Sequence, residues 1–213
     1  MISTPSLLRL AEHEALSSVT LCGTVADLGG EKGAKYLSRI RGSFTVTSVN
    51  LGIDPKPDIV HDLEIPLPLS DASYDHVLLM NVLEHIFNYR QLLTEAARIV
   101  KPGGSVVIAV PYLFPIHPSP HDYWRFSREA LEKECAHAGL SIKTLTPLGG
   151  GVFAARHLML DRLLPAPIRF VSHYTLRYVT YWLDSAFSLI ARLLGKRYSA
   201  AEYPLGYVVV AIR

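Results

Sequence analysis

Thr24-Val-Ala-Asp27-Leu28-Gly29-Gly30-Glu31-Lys32-Gly33 is the stretch that decides the fold of this chain. A short apolar run ends on a carboxylate and passes at once into glycines, the order expected of a first parallel strand whose carboxyl end opens on a ligand crevice. Glycines at that point let a ligand approach bare main chain. The dinucleotide fingerprint G-x-G-x-x-G fails here. Gly30 and Gly33 supply its last two glycines, but Leu28 stands where the first is required, and Asp27 comes too early. The stretch therefore points to a nucleoside pocket of another kind.

Outward from this turn, strand-like and helix-like segments alternate, the pattern of an α/β domain with a parallel sheet covered on both faces. Strands are predicted over 25–28, 45–50, 58–62, 76–80, 105–110, 142–146 and 206–212, and helices over 7–17, 34–41, 82–100 and 128–138. Gly139 closes the last of these helices in the position where helices commonly end. Lys101-Pro-Gly-Gly104 reads as a turn, and Leu83, Ile86, Phe87, Leu93, Ala97 and Val100 return at helical spacing.

A length of 213 residues fits a single domain spanning 1–213. The formal net charge of +2 gives no broad electrostatic footprint, so no nucleic-acid partner is expected. Cys22 and Cys135 lack metal-type spacing and read as reduced, buried thiols. The first residues lack the basic and apolar segments of a secretory signal, which points to a cytoplasmic protein. The segment 153–203, rich in Leu, Tyr, Arg and His, breaks the alternation and reads as a helical insertion between the sixth and seventh strands. Its favoured role is a lid. The alternative is peripheral membrane contact through 168–197, where Arg169, Arg177, Arg192, Lys196 and Arg197 flank or stud an apolar run interrupted by Asp184. That run is too short to span a bilayer.

Several further motifs follow in order: Asp58-Ile-Val-His-Asp62-Leu63-Glu64, Leu67-Pro-Leu69, Tyr74-Asp-His-Val-Leu-Leu79, Val82-Leu-Glu-His-Ile86, Arg98-Ile-Val-Lys-Pro-Gly-Gly104 and His121-Asp-Tyr-Trp-Arg-Phe126. With Asp27-Leu-Gly29 and Gly33, this series resembles the type 11-like branch of class I S-adenosylmethionine-dependent methyltransferases over roughly residues 24 to 146. The resemblance implies a Rossmann-like seven-stranded sheet, mostly parallel with an antiparallel last strand. It also implies S-adenosylmethionine as cofactor and a small-molecule, glycan or lipid-linked acceptor. It carries cofactor binding onto Asp27, Gly29, Gly30, Gly33, Asn50, Leu51, Asp62, Leu63 and Asn81. Asp27 would meet the ammonium of the donor, while the glycines and the start of the next helix would receive its carboxylate. Asn50 would meet the ribose and Asp62 the adenine amino group. Two positions depart from the family: Glu31 stands where many relatives have a third glycine, and Asn50 where they carry an acid.

Asn81 and Glu84 have the spacing of a capping box that opens a helix, which is the favoured structural reading, and His85 is read as structural. The loop Pro115-Ile-His117-Pro-Ser-Pro-His121-Asp122 gathers titratable groups after the fifth strand. His117 and His121 are the candidates for a general base, since imidazole titrates near neutral pH. An Asp122–Arg125 ion pair, packing of Tyr123 and Trp124, and a Ser127 helix cap are the architectural readings of the same loop. No metal site is expected. The prolines preclude a helical i,i+4 arrangement of His117, His121 and Asp122, and no further ligand is evident. A non-catalytic nucleoside-binding or scaffold protein is the competing reading, suggested by Glu31 and Asn50.

Overall fold

A computed structural model describes residues 5–52, 56–160 and 163–213. Among them a seven-stranded sheet has the order β3-β2-β1-β4-β5-β7-β6. The strands are β1 (Thr20–Leu28), β2 (Arg41–Asn50), β3 (Ile59–Val60), β4 (Tyr74–Met80), β5 (Val100–Pro111), β6 (Ser141–Leu148) and β7 (Gly206–Ile212). β7 alone runs against its neighbours, pairing antiparallel with both β5 and β6. The carboxyl ends of β1, β2, β4 and β5 therefore share one edge.

Side-chain alternation along the strands builds two cores. Val77, Leu79, Val106, Ile108, Val110, Val209 and Ala211 face one side, packed with residues of α2 (Tyr89–Ile99) and α3 (Arg128–His137). Leu78, Met80, Val107, Ala109 and Val208 face the other, packed with α1 (Leu7–Leu16) and α4 (Val152–Leu160). Helices thus cover both faces, as the alternation of segments predicts. α5 (Ala166–Leu193) packs on α4, and both lie between β6 and β7.

Three local expectations are corrected. The helix predicted over 34–41 is only a 3₁₀ turn, Lys35–Arg39, because β2 begins at Arg41 and leaves no length for an α-helix. The helix predicted over 82–100 is split into a 3₁₀ turn at Leu83–His85 and α2 from Tyr89. Lys101 to Gly104 is not a free turn but a bulged stretch of β5, where the register with β4 shifts between Tyr74 and His76. Asp75, opposite the bulge, accepts from Lys101 Nζ at 2.7 Å and from Thr24 at 2.8 Å. Cys22 is exposed rather than buried, on an edgeward stretch of β1, while Cys135 is buried in α3.

Candidate functional site

At the tip of β1, Asp27 is fully buried. Its Oδ2 accepts a 2.6 Å hydrogen bond from the Tyr36 hydroxyl, and its Oδ1 has no partner among the described residues. Burial pushes the carboxyl up to about 7, against the lowering effect of the Tyr36 hydrogen bond. The same burial, with the Asp27 charge beside it, raises the Tyr36 hydroxyl. The glycines explain how the main chain folds over this acid. Gly29 has φ +83°, and a Cβ there would meet Val82 Cγ2 at 2.4 Å; a Cβ on Gly30 would lie 2.0 Å from Asp27 Oδ2. Only glycine fits either place. Gly33 follows in the same turn, and Lys32 fastens the turn across β2 by a 2.9 Å ion pair with Asp58.

A buried carboxylate oxygen without a donor is expensive and calls for a positively charged or N–H partner at that spot. A donor ammonium meets that requirement, so the acid and the bare main chain above it fit the methionine end of S-adenosylmethionine. The helix start expected to receive the methionine carboxylate is absent, since only the 3₁₀ turn Lys35–Arg39 follows the glycines.

Around this turn the other sequence-predicted residues take distinct places. Asn50 ends β2, where its Nδ2 donates to Gly29 O at 3.0 Å and Gly30 O at 3.4 Å. The amide is therefore the clamp that holds the glycine turn, a task an acid could not perform because it has no proton to donate. Its Oδ1 remains an acceptor, with a long 3.4 Å contact from Gly52 N. Leu51 is exposed, and Leu63 is buried in the core. Asp62 is half-buried, with Oδ1 accepting from Glu64 N at 2.9 Å.

The capping box does not form. Asn81 has φ +54°, and its Nδ2 donates at 2.8 Å to Glu12, a fully buried acid of α1. Burial raises the Glu12 carboxyl. The N–H groups of Phe87 and Asn88, just ahead of α2, are instead received by Glu64 at 2.6 and 2.9 Å. A left-handed Asn81 turns the chain too sharply for its side chain to reach Glu84 across a first helical turn.

Glu84 itself is fully buried, and neither of its carboxylate oxygens has a hydrogen bond among the described residues. Its carbonyl receives Tyr123 N at 2.7 Å and Trp124 N at 3.3 Å, which draws the loop after β5 over the tip of β4. Trp124 packs against Phe87 and Tyr89 and donates to Ile86 O at 3.1 Å. Arg125 grips Asp122 through two hydrogen bonds, one of 2.8 Å, and Ser127 Oγ caps α3 by accepting from Ala130 N at 3.3 Å. The Arg125 fork holds the Asp122 carboxyl well below the usual carboxylate range.

The loop delivers its two histidines differently. The His121 ring is exposed, tilted against Tyr123 with centroids 5.2 Å apart. His117 is drawn inward, with Nδ1 3.0 Å from Pro115 O and Nε2 3.8 Å from Glu84 Oε1. The Glu84 carboxylate raises the His117 imidazole above its ordinary value despite partial burial. Asp122 is gripped by Arg125 and lies against His117, accepting from its backbone N–H at 2.9 Å with Nδ1 3.4 Å away, while the exposed His121 ring does not join them. His85, read from sequence as structural, lies 5.0 Å from His117 between ring centroids, with its Nε2 3.7 Å from Glu84 Oε1. No local spacing could reveal this grouping, because β4 and β5 bring together residues more than thirty positions apart.

A cleft of about 340 Å³ lies away from Asp27, lined by Glu14 of α1, Thr146 and Leu148 of β6, Gly150, and Tyr181 and Asp184 of α5. Asp184, which interrupts an apolar run, accepts from Phe153 N and Ala154 N at 3.0 Å and from Tyr198 Oη at 2.9 Å. It is the cap of α4 supplied from α5. The outer side of α5 exposes Ile168, Val171, Val179, Trp182 and Ile190. The side chains of Arg169 and Arg177, part of the membrane-contact expectation, lie outside those described. Among the described residues no helix is long and apolar enough to cross a membrane.

Residues 33–108 match a family model described as a methyltransferase domain. Over 103 residues the chain is 36% identical to a probable S-adenosylmethionine-dependent methyltransferase of Mycolicibacterium smegmatis, covering 48% of this chain and 40% of that protein. It is 30% identical over 115 residues to a demethylmenaquinone methyltransferase of Bacillus licheniformis, covering 49% and 50% respectively. The chain thus spans half or less of the length of these curated relatives. The fold is similar to the crystal structure of an S-adenosylmethionine-dependent methyltransferase from Mesorhizobium loti, with TM-score 0.57, 14% identity, and 95% and 98% of the two chains covered.

Proposed function

We propose that this chain is a class I S-adenosylmethionine-dependent methyltransferase that transfers a methyl group to a small-molecule or lipid- or glycan-linked acceptor, a reading supported by the methyltransferase-domain match over residues 33–108, by the relatives it resembles and by its fold. The observation that carries the reading is the buried Asp27 with its unpartnered Oδ1, roofed by Gly29 and Gly30, where no Cβ fits. The cofactor supplies an electrophilic methyl on a sulfonium.

The chain's own residues bind and orient. Asp27 meets the ammonium, the Gly29–Gly33 main chain lies along the methionine end, and Asn50 Oδ1 accepts from a ribose hydroxyl while its Nδ2 holds the turn closed. Asp62 Oδ2 and the Leu63 main chain serve the adenine, with exposed Leu51 beside it. Asn81 acts by tying α1 to the tip of β4. The neutral amide at Asn50 replaces a charge-assisted bond with an ordinary one, a difference of about 1 kcal/mol. The acceptor approaches over the tips of β4 and β5, beneath the loop that Glu84 holds. Alignment of its nucleophilic atom there supplies most of the acceleration, since positioning alone can contribute roughly 7–11 kcal/mol. His121, whose ring nitrogens have no hydrogen bond among the described residues, takes the acceptor's proton. His117 is the weaker candidate, because Glu84 favours its protonated form.

α4 and α5 form a lid on the β6 side, with the cleft beside Asp184 as an entry for the acceptor. The exposed apolar side of α5 favours a second role, contact of 168–197 with a membrane surface that presents a lipid-linked acceptor. Calorimetric titration with S-adenosylmethionine and S-adenosylhomocysteine tests the central reading. Saturable binding of both is expected, and no binding at millimolar ligand overturns it in favour of a non-catalytic scaffold.

A further inference from the structure

We propose that Glu84, His85 and His117 bind one divalent first-row transition-metal ion at the tips of β4 and β5. One donor atom from each residue lies within 4.8 Å of the other two. Glu84 is 0% exposed, and neither carboxylate oxygen has a hydrogen bond among the described residues, although Oε1 faces both imidazoles. Such an acid, where it is ionised, needs a cation beside it.

The two imidazoles are prepared to share one. His85 Nδ1 lies 2.5 Å from His121 O, and His117 Nδ1 lies 3.0 Å from Pro115 O. A carbonyl oxygen can only accept, so each Nδ1 carries a hydrogen and Nε2 is the atom left to bind an ion, through the lone pair it has once any proton there is displaced. Those Nε2 atoms are the ones that face Glu84 Oε1, at 3.7 and 3.8 Å. A backbone carbonyl fixing the far nitrogen is the usual support of a metal-binding histidine.

The spacing also discriminates against a simple ion pair. A charged hydrogen bond would close to about 2.8 Å, whereas neighbouring donors around an ion with bonds of ~2.0–2.1 Å stand about 3.0–3.4 Å apart. The separations observed exceed the first by nearly an ångström and the second by a few tenths. Two imidazole nitrogens and one carboxylate leave coordination positions open and suit Zn²⁺, Co²⁺, Mn²⁺ or Fe²⁺, whereas Mg²⁺ and Ca²⁺ prefer oxygen-only sets.

Binding of the ion stands independently of the methyl-transfer reading; its use rests on that reading. An ion at this place would bind an acceptor hydroxyl and lower its pKa, so that the proton passes more readily to His121. The oxygen then forms its bond to the methyl carbon as the carbon–sulfur bond breaks, with that electron pair returning to sulfur. This selects an oxygen acceptor over a carbon one.

The test uses the full chain stripped with a chelator, then titrated with Co²⁺ alone by visible absorption and with Zn²⁺ alone against a chromophoric chelator. About one equivalent is expected to bind. Glu84→Gln, His85→Ala and His117→Ala should each weaken binding at least tenfold, with circular dichroism reporting that the fold persists. No binding by the wild-type chain overturns the site, whether or not the variants fold. So does binding that survives all three substitutions, which would mark adventitious surface histidines. Titration of the stripped protein with S-adenosylmethionine is read separately, so loss of the metal site and loss of the methyltransferase reading are told apart.

Discussion

Lowering the pH from 7.0 to 5.5 should weaken binding of S-adenosylmethionine about 16-fold through Asp27 alone. The acid is fully buried, and its carboxyl is pushed up to about 7, chiefly by burial. If the ammonium is received by the ionised acid, affinity follows the ionised fraction. That fraction falls from about one half at pH 7.0 to about 3% at pH 5.5, or ~1.6 kcal/mol. The donor's own amino group, with an ordinary pKa of about 7.7–8.0, stays mostly charged across this window. Calorimetry at pH 6 in buffers of different ionisation heat should register release of close to one proton per ligand bound. Asp27→Asn should bind weakly and without this slope. Affinity constant within twofold between pH 5.5 and 7.0 in the wild-type chain would refute the placement of the ammonium at Asp27. The same group also acts on the free protein. Its folded-state value lies above the unfolded one, so the folded chain keeps a proton that the unfolded chain has already lost between about pH 4 and pH 7. On this group stability is therefore greatest below about pH 4 and declines as the pH rises through 7, by on the order of 4 kcal/mol.

Gly30→Ala should abolish cofactor binding and lower the melting temperature, because its Cβ would meet Asp27 Oδ2 at 2.0 Å. Gly33→Ala, with nothing within 4 Å but φ +75°, should cost only about 1–2 kcal/mol. Paired thermal unfolding and titration distinguish the two, and similar behaviour of both variants would contradict the close packing of Asp27 under Gly30. Asp184→Asn keeps one acceptor oxygen where three donors now converge, so it should destabilise the protein by about 1–3 kcal/mol. Hydrogen exchange should quicken first at the Phe153 and Ala154 amides. Unchanged exchange there would remove Asp184 as the cap of α4.

The sheet was legible because its strands carry their own signature. Runs such as Val106 to Val110 are apolar at every position, as strands buried on both faces must be, and the glycine turn after Asp27 marks the ligand edge. The order of motifs located the loop after β5 for the same reason. The short-range expectations failed where tertiary contacts overrode local spacing. Asn81 and Glu84 have the separation of a capping box, but the buried acid of α1 claims Asn81 and leaves Glu84 to face two histidines. Residues 34–41 have helical composition but too little chain before β2 pairs with β1. Asn50 reads as a weakened ribose ligand, and only the geometry reveals that its N–H group holds the glycine turn. Asp184 reads as an interruption because the two amides it caps, Phe153 and Ala154, are about thirty positions away.

The place of β7 between β5 and β6 has a consequence during translation. β6 reaches the rest of the sheet only through a strand that begins at Gly206, so a nascent chain can assemble β1 to β5 while β6 and the two helices after it wait without a docking edge. Over that interval the apolar rim of β5 stays unpaired, an invitation to association between chains that ends only when Gly206–Ile212 has left the ribosome.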